Sequence, residues 1–314
     1  MLVEPKRFEV RELPLLDPEP GRARIRLQGC GVCASNIPPW EGRPWFSYPL
    51  PPGNPGHEAW GVVDAVGAGV TTLQVGQRVA VLSENAYATY DFVEPSKAVA
   101  LPASLATRPF PGEPLACAYN VYRRAEILPG QDVAIIGIGF MGALLTALCA
   151  SAGARVIAIS RRASSLAIAE QMGAQVRIVM DDHHRIIDEV SRLTNGQFCP
   201  RVIECAGAQW PLDLAAQLTG VRGRLLVAGY HQDGPRQVDM QLWNWRGLDV
   251  VNAHERDPAV YVRGLRDAVA AVESGKLDPF PLLTHTYPID RIDEAFRATS
   301  ERPEGFMKAI LRYD

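Results

Sequence analysis

The hydrophobic rhythm of this chain changes near Pro114. Before that point it is short and two-fold. Arg22-Ala23-Arg24-Ile25-Arg26-Leu27 alternates polar and apolar positions, as a strand does with one face in a core and one in water. Gly61 to Gly67 and Gln77 to Leu82 are further strands bounded by glycine. Pro38 to Pro55 holds seven prolines, too many for regular hydrogen bonding, and reads as a loop. A small β-rich, partly barrel-like domain is expected here.

After Pro114 the pattern alternates between helical spacing and short apolar runs. Helices are expected at Ala116 to Leu128, Gly142 to Ala152 and Ser164 to Met172, each followed by a glycine stop. Apolar strands are expected at Asp132 to Ile136, Arg155 to Ile159, Arg201 to Cys205 and Gly223 to Ala228. Strands alternating with helices predict a parallel sheet covered on both faces, the α/β doubly wound class. The last sixty or so residues predict helices at Tyr261 to Ser274 and Ile292 to Ser300. They also predict strands at Thr284 to Ile289 and Lys308 to Tyr313, a tail that could close back onto the first domain.

Composition narrows the class. With 314 residues, two domains are the prior. A net charge of -3 provides no strong field for nucleic acid or a membrane surface. The start lacks the apolar run of a signal peptide, and no run of about 18 apolar residues suggests a membrane span. Six scattered cysteines are too few for a disulfide scaffold, so a cytoplasmic, reduced setting is expected.

Two groups of residues carry chemistry. Gly137-Ile138-Gly139-Phe140-Met141-Gly142 follows an apolar strand and opens a helix, the context a dinucleotide-binding turn requires. Gly137 permits the tight turn, Gly139 the approach of backbone to phosphate, and Gly142 the packing of helix on strand. The next strand ends at Ser160-Arg161-Arg162, 23 positions after Gly137, where an NAD-preferring site usually carries a carboxylate. A carboxylate would repel a 2′-phosphate and guanidinium groups would bind it, so NADP(H) is favoured over NAD(H). The second group is Cys33, His57 and Glu58, whose thiolate, imidazole and carboxylate suit one Zn²⁺ ion. Taken singly, Cys33 reads as a small buried hydrophobe and His57 as a hydrogen-bonded core residue. Twenty-four positions separate the two, so only folding can join them.

The set of motifs, in this order, resembles the zinc-dependent medium-chain dehydrogenase/reductase superfamily over nearly the whole chain. Gly31-Val32-Cys33-Ala34-Ser35-Asn36 is similar to the family's Gly-Ile-Cys-Gly-Ser-Asp segment, and Gly56-His57-Glu58 to its Gly-His-Glu. The resemblance implies a GroES-like catalytic domain over residues 1–116 and 253–314, and a Rossmann dinucleotide-binding domain over 117–252. It implies Cys33 and His57 as zinc ligands, with Glu58 a ligand or an exchangeable near-ligand. Glu113-Pro114-Leu115 resembles the segment that supplies a glutamate in sorbitol dehydrogenase-like members, with Cys117 the competing residue. A hydroxyl at Ser35 begins a proton relay in the family. Some members place a relay histidine three residues further on, but this chain has Pro38 there. The lobe with four cysteines that binds a second zinc is missing between Leu82 and Tyr90, so one zinc per subunit is expected. Lys308 matches a basic residue that reaches the cofactor pyrophosphate; an ordinary exposed lysine is the alternative.

The implied activity is hydride transfer between NAD(P) and a secondary alcohol or carbonyl. Cys33, Ser35, His57 and Glu58 are the catalytic set, and a polyol or sugar-type substrate is favoured by the Glu113 segment. Trp40, Trp45, Phe46 and Tyr48 would line the pocket or cover the core, with Trp210, Trp243, Trp245 and the polar run Asn252 to Arg256 as further candidates. A homodimer or homotetramer is expected. The rivals are a zinc-independent NADPH reductase of quinones or enones, and a nucleotide-binding protein without catalysis.

Overall fold

The computed structural model describes residues 1–313 and divides into two compact units. One unit comprises Met1–Ala116 with Asp257–Asp314, and the other Cys117–Arg256; Asp314 itself lies outside the described residues.

The first unit is built on a seven-stranded sheet. Its order is His285–Pro288, Ala309–Arg312, Ala23–Val32, Glu58–Val66, Arg78–Leu82 and Ala98–Ala100, with Tyr90–Val93 also paired to Ala23–Val32. The alternation seen in the sequence decides the faces. Ala23, Ile25 and Leu27 are buried, while the arginines between them turn outward. The long strand then changes character at Gly29 and Gly31. A Cβ on Gly29 would collide with the Trp60 ring, and one on Gly31 with the Glu58 carboxylate. The tail strand Ala309–Arg312 runs antiparallel to the same strand, with Ala309 opposite Val32 and Leu311 opposite Cys30. The residue before it, Lys308, is thereby brought beside the Cys33 segment.

The second unit is a six-stranded parallel sheet in the order Val176–Val179, Arg155–Ser160, Asp132–Ile136, Cys199–Glu204, Thr219–Val227 and Asp249–Asn252. Val133 to Ile136 and Val156 to Ile159 are fully buried, as strands covered on both faces must be. The chain leaves Asp132–Ile136 first toward one edge and later returns to its other side. The carboxyl ends of Asp132–Ile136 and Cys199–Glu204 therefore flank a topological switch point, where open α/β sheets bind ligands.

Several expectations need correction. The proline-rich stretch is not all loop: Ile37–Glu41 is a short helix. Pro38 and Pro39 lie in its first turn, where a missing N–H costs nothing, and Gly42 ends it in the left-handed region at φ 82°. Trp40 on this helix packs against Phe296 in the core. Trp45 stands 62% exposed in the loop that follows. The helix expected at Ala116 to Leu128 spans Gly112–Ala125, which places Glu113 in its first turn. Short elements at Val176–Val179, His183–Leu193, Gln209–Leu218, Met240–Arg246 and Asp249–Asn252 were not legible in the sequence. Met240–Arg246 and Asp249–Asn252 bury no side chain and Val176–Val179 only Ile178, too few for a clear period. His183–Leu193 buries only Ile186 and Val190, whereas Gln209–Leu218 buries six of its residues, nearly all round, behind a proline at Pro211. No helix among the described residues is long and apolar enough to cross a membrane.

Candidate metal centre and dinucleotide turn

Ala23–Val32 delivers Cys33 at its carboxyl end, where the chain turns into a short 3-10 helix, Ala34–Asn36. Glu58 opens the neighbouring strand opposite Gly31, and His57 precedes it. Cys33, His57 and Glu58 consequently offer ligand atoms that all lie within 4.8 Å of one another. Folding has closed the gap between the two segments.

The surroundings orient each side chain. The carbonyl of Pro55 lies 3.0 Å from His57 Nδ1, and because a carbonyl only accepts, Nδ1 carries the proton. Nε2 is left to face the cluster, the tautomer a metal-binding imidazole needs. Asn36 Nδ2 donates to the same carbonyl at 3.1 Å, and Tyr87 donates its hydroxyl proton to Asn36 Oδ1 at 2.7 Å. Asn36 and Tyr87 are both buried. They form a second layer behind the histidine that sequence reasoning missed. Tyr87 lies in the segment between Arg78–Leu82 and Tyr90–Val93, where the family resemblance had located a missing lobe. The shortened connection still serves the site, by bracing it. Ser35 Oγ donates to Cys33 Sγ at 3.2 Å, so the expected relay hydroxyl is in direct contact with the thiol.

One polar atom here is left without a partner. Glu58 is 0% exposed; its Oε1 accepts from Lys308 Nζ, and its Oε2 has no partner. An unpartnered, fully buried carboxylate oxygen is costly unless something else satisfies it. Burial depresses the His57 pKa, but the hydrogen bond to Cys33 and the charges of Cys33, Glu113 and Glu58 outweigh this and push it up to about 10. A proton is thus held where anionic groups crowd together. The residues present fit a Zn²⁺ ion: one soft and two harder donors converge, and one oxygen of the buried carboxylate has no other partner.

Lys308 corrects an expectation. It is neither an exposed lysine nor free for a cofactor phosphate; it is 6% exposed, with its ammonium on Glu58. The physical reason is the buried carboxylate, which would otherwise be an uncompensated charge. Burial lowers the Lys308 pKa and the neighbouring charges, Glu58 first, raise it further, so it stays an ammonium. Glu113 is not among the three close donors, though its charge reaches both His57 and Lys308. Cys117 follows one turn later on the same helix and is partly exposed.

In the second unit the turn at Gly137 has the geometry of a phosphate cradle. Gly137 adopts φ 93°, which only glycine takes without strain. A Cβ on Gly142 would overlap the Gly137 carbonyl, whereas one on Gly139 would meet nothing within 4 Å. Open space at Gly139 lets a ligand approach the backbone. Phe140–Ser151 starts there, and its N-cap Gly139 carries no side chain to cap it, so the helix start turns main chain, not a side chain, toward that space. Phe140 is buried and Met141 partly so. Ser160 is buried at the end of the next strand, Arg161 is exposed, and Arg162 caps the following helix. Trp210 stacks edge-on against His183, and Trp245 is 88% exposed. His254 lies against Tyr230, with ring centroids 6.1 Å apart.

Comparison with known proteins agrees with this construction. Residues 19–102 match the model of the alcohol dehydrogenase GroES-like domain, and residues 141–266 that of zinc-binding dehydrogenases. A sorbitol dehydrogenase from Gallus gallus is 27% identical, over 98% of this chain and 93% of its own length. A 2-dehydro-3-deoxy-L-galactonate 5-dehydrogenase from Pseudoalteromonas atlantica is 25% identical, over 98% and 96%. The crystal structure of 2R,3R-butanediol dehydrogenase from Bacillus subtilis shares the fold, with a TM-score of 0.84 at 22% identity over 99% of this chain and 98% of that one. With both family models matched in order, and with Cys33, His57, Glu58 and the Gly137 turn in place, the chain belongs to the zinc-type medium-chain dehydrogenase/reductase superfamily.

Proposed function

We propose that this protein is a zinc-dependent dehydrogenase that moves a hydride between a nicotinamide dinucleotide and the carbinol carbon of a secondary alcohol. The observation that carries the reading is the convergence of Cys33, His57 and the buried Glu58, whose carboxylate keeps one oxygen without a partner. Cys33 and His57 would hold the ion, with Glu58 in reach and Glu113 completing the set directly or through water. Zinc at such a site polarises the substrate oxygen and lowers its proton affinity. Ser35, touching Cys33, is placed to carry the hydroxyl proton away, and Pro38 provides no relay beyond it. Lys308 holds the Glu58 carboxylate in place. Gly137, Gly139 and Gly142 would seat the pyrophosphate against the start of Phe140–Ser151. Ser160 in place of a carboxylate, with exposed Arg161 beyond it, favours NADP(H). Relatives named for sorbitol, a sugar-acid derivative and butanediol favour a polyol or sugar-type substrate.

The test is metal content per subunit in wild type and Cys33→Ser, with activity on a polyol and sugar panel in NADP⁺ and NAD⁺. One zinc in wild type is expected, lost in the variant together with at least about a thousandfold of kcat. Wild type that carries no zinc yet reduces quinones or enones would replace this reading with a zinc-independent reductase.

A further inference from the structure

A second buried carboxylate, in the other unit, has no role in that chemistry. Glu204 is the last residue of Cys199–Glu204 and is 0% exposed. Its Oε1 accepts the backbone N–H groups of Ala206 at 2.6 Å and Gly207 at 2.7 Å. Its main-chain carbonyl accepts those of Ala228 and Gly229, both at 2.8 Å. Its Oε2 lies 3.0 Å from His231 Nε2. Arg236 Nε donates to His231 Nδ1 at 2.8 Å, and the same guanidinium donates to the Gly207 carbonyl at 3.0 Å and pairs with Asp233.

Donor and acceptor bookkeeping fixes the imidazole. A guanidinium has only donors, so Nδ1 is the acceptor, Nε2 carries the proton, and Nε2–H donates to Glu204. The chain Arg236 to His231 to Glu204 therefore ties the two loops that follow Cys199–Glu204 and Thr219–Val227 into one piece. Their fit is close: a Cβ on Gly229 would overlap Gly207 N, and one on Gly207 would meet the Tyr230 carbonyl. These loops stand at the switch point. Cys205 N–H donates to the Ile136 carbonyl at 2.8 Å, and a Cβ on Gly137 would meet Ala206 N. Ala206 is thus a wall of the same turn that would seat the pyrophosphate. A carboxylate buried so near an anion's seat also needs a counter-charge, and Arg236 supplies it through the imidazole.

We propose that Glu204, His231 and Arg236 are positioning residues for the dinucleotide, setting its affinity by holding loop 205–208 against the Gly137 turn. This rests on the dinucleotide-binding reading above, not on zinc or on the identity of the substrate. The experiment titrates NADPH and NADH by fluorescence into wild type, His231→Leu, His231→Gln and Arg236→Leu, with amide exchange followed at Ala206 and Gly207. Leucine removes both hydrogen bonds and should weaken NADPH roughly tenfold, with faster exchange at both amides. Glutamine offers an acceptor and a donor in the same order and should restore binding to within about threefold. Should His231→Leu fail to fold, Arg236→Leu decides, with a smaller loss in the same direction expected. Variants that fold and bind NADPH as wild type does overturn the inference alone. Wild type that binds neither dinucleotide overturns the parent reading with it.

Discussion

The glycine turn at Gly137 and the cluster of Cys33, His57 and Glu58 are built by opposite means. The turn is contained in six consecutive positions, Gly137 to Gly142, between a buried strand and the helix it opens. Its chemistry is main-chain chemistry, and what matters is which positions lack a Cβ. The cluster draws on side chains from three distant segments, and the Glu58–Lys308 contact alone spans 250 positions. Its chemistry depends on burial and on charges that only folding brings together. Each site should therefore fail in its own way, and one glycine in each makes the contrast testable.

Gly31→Ala would drive the Glu58 carboxylate from its place, and Gly142→Ala would drive the helix from the Gly137 carbonyl. Each should cost about 1–3 kcal/mol of stability by overpacking. The functional losses should separate: Gly31→Ala loses zinc while still binding NADPH, and Gly142→Ala the reverse. Metal analysis and fluorescence titration on both proteins check this. Joint loss of both ligands in either variant would break the comparison.

A milder change sharpens it. Tyr87→Phe removes the hydroxyl that holds Asn36 Oδ1, one layer behind His57. Outer-layer partners of metal ligands are typically worth 10–100-fold in affinity, and with two residues between Tyr87 and any metal, about tenfold is expected. Competition with a chromophoric chelator reads it, and NADPH affinity should not move.

The smallest expected effect is on pH dependence. In zinc-free protein the folded His57 pKa, about 10, lies above its ordinary value of 6.5. The imidazolium then contributes stability that is fully present below pH 6.5 and is lost as pH rises through about 10. Zinc-stripped protein should melt progressively lower across that window. Zinc uptake at pH 8 should release the His57 proton to solvent. Melting curves with and without chelator, and a pH indicator during zinc addition, measure the two. A flat curve for the stripped protein would show that the anionic crowd around His57 is relieved in some other way.

The two sites also differ in how far they could be read in advance. Asp132 to Ile136 and the glycines after it were legible because strand period, turn conformation and helix start are local properties of adjacent residues. Cys33 and His57 stood out only as a resemblance; nothing in their own neighbourhoods distinguishes a ligand from a core residue. Trp40 was ambiguous for the same reason, since an aromatic side chain suits a pocket wall and a core equally. Its place against Phe296 depends on a helix near the far end of the chain. Lys308 was misjudged because its partner is invisible from its own segment.

Sequence alone specified the class of each unit, the turn at Gly137 and the residue types available for a metal. Backbone conformational preference and hydrophobic period act over a few residues and leave their mark in the order of the letters. Tertiary structure alone decided that Lys308 answers Glu58, that Asn36 and Tyr87 stand behind His57, and that Glu204 is joined to Arg236 through His231. Those are contacts between buried polar groups. A buried charge or donor must find a partner wherever the fold offers one, and that place is not written near it in the chain.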